Sequence, residues 1–257
     1  MNLRVSASEA NLRATPNTAQ APLSRLPAGH LIVATGAVQG RWQPCQTTIG
    51  GLSLNGFVNT SLLREPINPE VDRLIEFAGA EFREFLFGTR HETHPDSEKR
   101  IKAFWLSFQS TTQLVSVPWS AAFISFVIGK AGLTKSFAFS GRHTTYLSES
   151  KKAFVKNPQD SSLAYWAVQL SERKLQLGDM VGYYRTGRNC GSTVRTYDSL
   201  PGNFCSHCDV VVAIRGNTAI TIGGNVSNTV KVTEVPLDAT GHVKTGSKRI
   251  VVMKRNF

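Results

Sequence analysis

Ser120 opens the most apolar stretch of the chain, Pro118-Trp119-Ser120-Ala121-Ala122-Phe123-Ile124-Ser125-Phe126-Val127-Ile128. Pro118 suits the start of a helix there, and Gly132 suits its end. A hydroxyl in the first turn has two uses. It caps free backbone N–H groups, or it is a nucleophile placed where those N–H groups and the helix dipole stabilise negative charge. His207 stands at the head of a β-branched run, Asp209 to Ile214. His143 lies three residues before Tyr146, between the apolar helix and the first strand. It either lines a substrate cleft or is bonded to backbone at a loop. Cys205, His207 and Cys208 fall together, with Cys190 fifteen residues upstream of Cys205. Three Cys and one His fit zinc in number, but a His between the paired cysteines gives poor ligand geometry. Ordinary buried thiols or one disulfide are the better readings. His91, Glu92, His94 and Asp96 either bind a metal or form a solvated acidic–His loop, and the latter is preferred. The expectation is no metal and no cofactor.

These residues need elements to hold them. From Asn68 the pattern is helical: Asn68 caps, Pro69 takes the first position, and Glu70 and Asp72 favour the positive end. Val71, Leu74, Ile75, Ala78, Phe82, Phe85 and Leu86 recur at helical spacing up to Gly88. A second helix is expected from Ser97 to about Gln109, with Ile101, Phe104, Trp105 and Phe108 inward. The third is the apolar one, buried nearly all round. Strands follow: Met180–Tyr184, then His207–Ile214, a hairpin turn at Arg215–Thr218, and Ala219–Ile222 ending at Gly223-Gly224-Asn225. Val230–Val235 and Arg249–Met253 complete the set. Helices first and a mostly antiparallel sheet after them make an α+β layout.

Residues 1–65 read differently. They are rich in Ser, Thr, Ala, Gly and Pro, and short β-like pieces (His30–Thr35, Arg41–Thr47, Ser53–Asn59) alternate with glycine turns. Five or so such strands make a small barrel or roll. The division falls near Glu65-Pro66, giving units of 1–65 and 66–257.

The chain has 257 residues, 41% hydrophobic and 18% charged, which is enough apolar material for a real core. No apolar run approaches the roughly 20 residues that span a bilayer. The opening residues lack the apolar centre of a secretory signal, so the protein starts in the cytoplasm or has lost a signal. The net charge of +11 attracts polyanions: nucleic acid, anionic lipid or an anionic cell wall. It is spread along the chain, which makes a nucleic-acid groove unlikely as a reading.

Two resemblances follow from the motifs. Ala10-Asn11-Leu12-Arg13-Ala14-Thr15-Pro16, Leu26-Pro27-Ala28-Gly29-His30, Trp42 and Asn55–Leu63 resemble, in order, the motifs of bacterial SH3-type domains. Phe57 and Leu62 depart from the aromatics usual there. Such a resemblance implies either binding of wall peptides or bracing of a neighbouring domain. In residues 67–257, Trp119-Ser120-Ala121-Ala122-Phe123-Ile124, Leu175–Val181, Ser206-His207-Cys208-Asp209-Val210-Val211 and Gly223-Gly224-Asn225 resemble the papain-like superfamily of NlpC and CHAP type. The closer resemblance is to domain-of-unknown-function family 2272, with Ser140–Tyr146 and Gly224-Asn225-Val226 filling its remaining motifs.

The resemblance implies a Ser120–His207–Asn225 site, with Ser120 where the superfamily has Cys. A hydroxyl needs its proton removed during attack, so His207 would be the base and Asn225 its orienter, with Asp209 an alternative orienter. Trp119, His143, Tyr146 and Asp209 are the expected substrate contacts. Three functions stay open. One is an amide hydrolase acting on cell-wall peptide. The second is an inactive wall- or peptide-binding protein. The third is an antibacterial toxin or phage-type lysis protein, opposed by an inhibitor or immunity protein. Action in the periplasm or at the wall fits all three. The loop from Arg185 to Ser206 joins two strands expected to be neighbours, so in an oxidising compartment Cys190 should close with Cys205 or Cys208.

Overall fold

The computed structural model describes residues 1–257. Seven short strands come first: β1 (Asn2–Val5), β2 (Glu9–Leu12), β3 (Ser24–Pro27), β4 (Leu31–Ala34), β5 (Trp42–Ile49), β6 (Leu52–Asn59) and β7 (Leu63–Arg64). Five pair antiparallel in the order β6-β5-β4-β1-β7, and β2 pairs with β3. A bridge from Arg13 to Phe57 ties the two pieces together. Val5, Leu12, Leu26, Ile32, Cys45 and Val58 form their private core. Sequence alone found β4, β5 and β6. The other strands have four residues or fewer, too short to show alternation.

Four helices follow: α1 (Pro69–Glu84), α2 (Pro95–Leu106), α3 (Ser120–Ala131) and α4 (His143–Lys156). The Asn68 side chain accepts the Val71 N–H at 2.8 Å, which fixes the start of α1. Leu86, expected inward, lies beyond the end of α1 in a left-handed conformation and is half exposed. In α3 every residue from Ser120 to Ile128 is buried, and Gly132 caps it in the left-handed conformation that glycine adopts freely. The segment holding His143, read as a loop, is helix α4.

The second sheet contains β8 (Tyr165–Val168), β9 (Met180–Tyr184), β10 (Ser206–Arg215), β11 (Thr218–Gly223), β12 (Lys231–Pro236) and β13 (Arg249–Arg255). Its order is β12-β11-β10-β9-β13-β8, and every neighbouring pair is antiparallel. The helices pack on one face, where Phe85, Phe104, Trp119, Phe123, Tyr146, Val210 and Ile222 share a core. The fold is therefore α+β. No helix is long and apolar enough to cross a membrane.

Candidate active site

Three elements converge on one cleft of about 1020 Å³. The start of α3 supplies Ser120, the start of α4 supplies His143, and the start of β10 supplies His207. Asn225, just after β11, completes the wall.

Ser120 Oγ meets His143 Nε2 at 2.6 Å. The other ring nitrogen, Nδ1, is bonded to the Tyr146 hydroxyl one helical turn along α4. A hydroxyl donates to Nε2 when the ring proton sits on Nδ1, and the Tyr146 oxygen is there to accept that proton. His143 is almost fully buried, and burial holds its basicity well below the ordinary histidine range. The nearby His207 and Arg185 push the same way. A neutral imidazole at neutral pH follows, which is the form that accepts a proton.

His207 Nε2 is bonded to Asp209 Oδ1 at 2.7 Å, with both side chains buried. Residues two apart share a face only on a regular strand. Here β10 pairs with β9 without a slip from Ser206 to Val210, and the irregularity comes later, after Val211. Gly223 on the neighbouring strand gives the pair its room. A Cβ there would overlap the Asp209 carboxylate and lie 3.0 Å from His207 Nε2. Gly224 lets the chain pass against α3, where a Cβ would lie 2.5 Å from Phe123 Cβ. The rings of His143 and His207 are 5.4 Å apart.

Several expectations are corrected. The Ser120 hydroxyl is bonded to His143, not to His207, because α4 points the ring of its first residue at the first residue of α3. Asp209, not Asn225, holds His207; Asn225 has a left-handed backbone and makes no bond to that ring. Trp119 is no cleft residue. It is fully buried, stacks on Phe85 and donates its indole N–H to Glu92 Oε2 at 2.8 Å. Tyr146 and Asp209 stand behind the two histidines instead of lining the cleft. Of the expected substrate contacts, His143 alone lines it. In the acidic–His loop Glu92 takes the Trp119 N–H, the Asp96 N–H donates to His94 Nδ1 at 3.2 Å, and no group of three or more His, Cys, Asp or Glu is placed to hold a metal.

Cys190 and Cys205 form a disulfide with Cα atoms 5.5 Å apart. It closes the loop between β9 and β10 at the rim of the cleft. Cys208 is a free, buried thiol, and burial pushes its pKa far up.

A family model described as "Uncharacterized protein conserved in bacteria (DUF2272)" matches residues 89–257. The chain belongs to this family. The DUF2272 stretch contains Ser120, His143, Tyr146, His207, Asp209 and Asn225, and begins between α1 and α2. Among solved structures, NlpC2 from Trichomonas vaginalis aligns at 10% identity and a TM-score of 0.29, over 99% of this chain and 73% of that one. NlpC1 from the same organism aligns at 11% identity and a TM-score of 0.31, over 100% and 69%. No curated protein matches the chain.

Sequence reasoning missed three cleft residues, Arg142, Arg185 and Arg195. Their charge was visible, but they are 53 positions apart from first to last, and only the fold gathers them.

Proposed function

We propose that this DUF2272 chain is an amide hydrolase of papain-like arrangement, acting on peptides of a bacterial cell wall. Ser120 is the nucleophile and His143 its base. The carrying observation is the 2.6 Å bond between Ser120 Oγ and His143 Nε2 on the floor of an open cleft. In acylation Ser120 Oγ bonds to the substrate carbonyl carbon and its proton passes to Nε2. The amine then leaves with that proton as the C–N bond breaks. Water, deprotonated by the same nitrogen, attacks the acyl-enzyme and returns Ser120 with a carboxylic acid. Ala121 and Ala122 have no hydrogen-bond acceptor for their N–H groups at the start of α3, and these suit the oxyanion. His207, held by Asp209, stands across from His143 as the second proton-transfer group. The SH3-like motifs of the N-terminal unit and the net charge of +11 support a wall substrate.

The test is release of soluble products from purified peptidoglycan, read by mass spectrometry. Ser120→Ala should abolish it, and His143→Gln should slow it about 10²–10⁴-fold. Undiminished release by Ser120→Ala would reject the assignment. A binding role without cleavage is the second reading, favoured by the low exposure of Ser120, 7%. It predicts wall binding that Ser120→Ala leaves intact and no products from the native chain.

A further inference from the structure

The cleft is cationic in a way the overall charge does not require. Arg142, Arg185 and Arg195 all line it, and no Asp or Glu does. None of the three takes part in any ion pair of the chain. Elsewhere Arg4 and Arg64 pair with Asp72 and Arg100 with Glu81, while Arg73, Arg249 and Arg255 are satisfied by backbone carbonyls. The three cleft arginines are also placed by the site itself. Arg142 immediately precedes His143. The N–H of Arg185 donates to the Cys205 carbonyl at 2.8 Å, beside the disulfide. The guanidinium of Arg195 lies 5.4 Å from the Phe204 ring centre, on the loop that the disulfide closes.

We infer that the substrate is an acyl compound bearing a free carboxylate close to the bond that is cut, received by Arg142, Arg185 and Arg195. This rests on the hydrolase reading for its catalytic part. A guanidinium matches a carboxylate with two parallel hydrogen bonds, and a concave site concentrates the field of several such groups. A second argument comes from His143. The Arg185 charge works against protonation of that ring. An anion bound at Arg185 relieves this penalty at the moment the base takes the Ser120 proton. A neutral substrate leaves it in place. The cleft thus gains twice from a carboxylate, once in binding and once in basicity.

The experiment compares two esters with acyl chains of equal length, mono-p-nitrophenyl glutarate and p-nitrophenyl valerate, on the full chain. With either, Ser120 Oγ forms the acyl bond, nitrophenolate leaves, and water frees the acid. The glutarate should be favoured about tenfold or more in kcat/KM, the scale of a charge-assisted hydrogen bond. The preference should shrink as salt rises. In the combined Arg142→Gln, Arg185→Gln, Arg195→Gln variant the ratio should fall towards one. Equal rates on the two esters, or a ratio untouched by the variant, would overturn the inference while leaving the hydrolase reading standing. If neither ester is cut, the hydrolase reading rests on the peptidoglycan assay, and calorimetric titration of glutarate into the Ser120→Ala chain decides this one. Binding that disappears in the arginine variant supports it, and no binding overturns it.

Discussion

Two imidazoles 5.4 Å apart differ in what surrounds them, and that difference sets their chemistry. His207 has a carboxylate on Nε2, whereas His143 has two hydroxyls and no carboxylate. Burial therefore depresses the basicity of His143 with nothing to offset it. In the unfolded chain His143 binds a proton near pH 6.5, while in the folded chain it stays neutral well below that. Below about pH 6.5 the unfolded state thus binds more protons, and stability falls as pH falls until the folded value is reached. Above about pH 6.5 the group contributes in full. Urea unfolding from about pH 7.5 down to 5 should show a steeper loss for the native chain than for His143→Gln; equal slopes would count against a depressed His143. The acid limb of kcat/KM should likewise lie well below pH 6.5. Ser120, His207 and the glycine pair before Asn225 were legible as residues because local sequence marks them: a helix start, a strand head, a turn. The Ser120–His143 bond was not, because nothing local in either segment names the other across 23 positions.

At the scale of elements, α4 explains most of what sequence reading lost. Tyr146, Leu147, Ser150 and Phe154 are buried at helical spacing, but Thr144, Thr145, Ser148 and Ser150 are equally at home in a loop. With α4 read as a loop, His143 had no fixed direction. By contrast α1 and α3 were legible from their caps and apolar stripes, and β10–β11 from the Arg215–Thr218 turn between β-branched runs. The loop from β9 to β10 was bounded correctly, and of the two pairings left open the structure has Cys190–Cys205. This bond matters because that loop carries Arg195 and Phe204 with little regular structure of its own. Closing 15 residues restricts the unfolded chain by about 3 kcal/mol in the chain-entropy model. Replacing Cys190 by Ser should therefore lower the free energy of unfolding in urea by about 2–4 kcal/mol. It should also reduce selectivity for the anionic ester, since Arg195 loses its fixed frame. An unchanged unfolding midpoint would mean that the loop is held by its other contacts.

At the scale of the whole molecule, the N-terminal strands are fastened to α1, and α1 to α3. The turn after β3 lies flat on α1. Ala28 belongs to the core of the helices, not to that of the strands. A Cβ at Gly79 would overlap the Ala28 carbonyl, and one at Gly29 would lie 2.6 Å from the Glu76 backbone N. Around this contact Asp72, 2% exposed, is held by Arg64 at 2.7 Å and by Arg4 at 3.6 Å. Arg4 also reaches Glu76 at 2.6 Å. Two glycines and a buried ion network at one contact make sliding costly, so residues 1–65 act as a brace under α1 whatever else they bind. Helix α1, whose Leu74, Ile75 and Phe82 share one core with α3, then backs the helix that carries Ser120. Strands β4–β6 and helix α3 should consequently lose hydrogen-exchange protection together as urea rises. Asp72→Ala removes the anion and leaves Arg64 uncompensated, while Arg4 keeps Glu76; losing one partner of a buried pair costs about 3–5 kcal/mol. In that variant the strands of residues 1–65 should exchange at lower urea than α3, splitting one transition into two. Protection of β5 lost well before that of α3 in the native chain would show that the contact is a loose one, and the brace would then have no mechanical hold on Ser120.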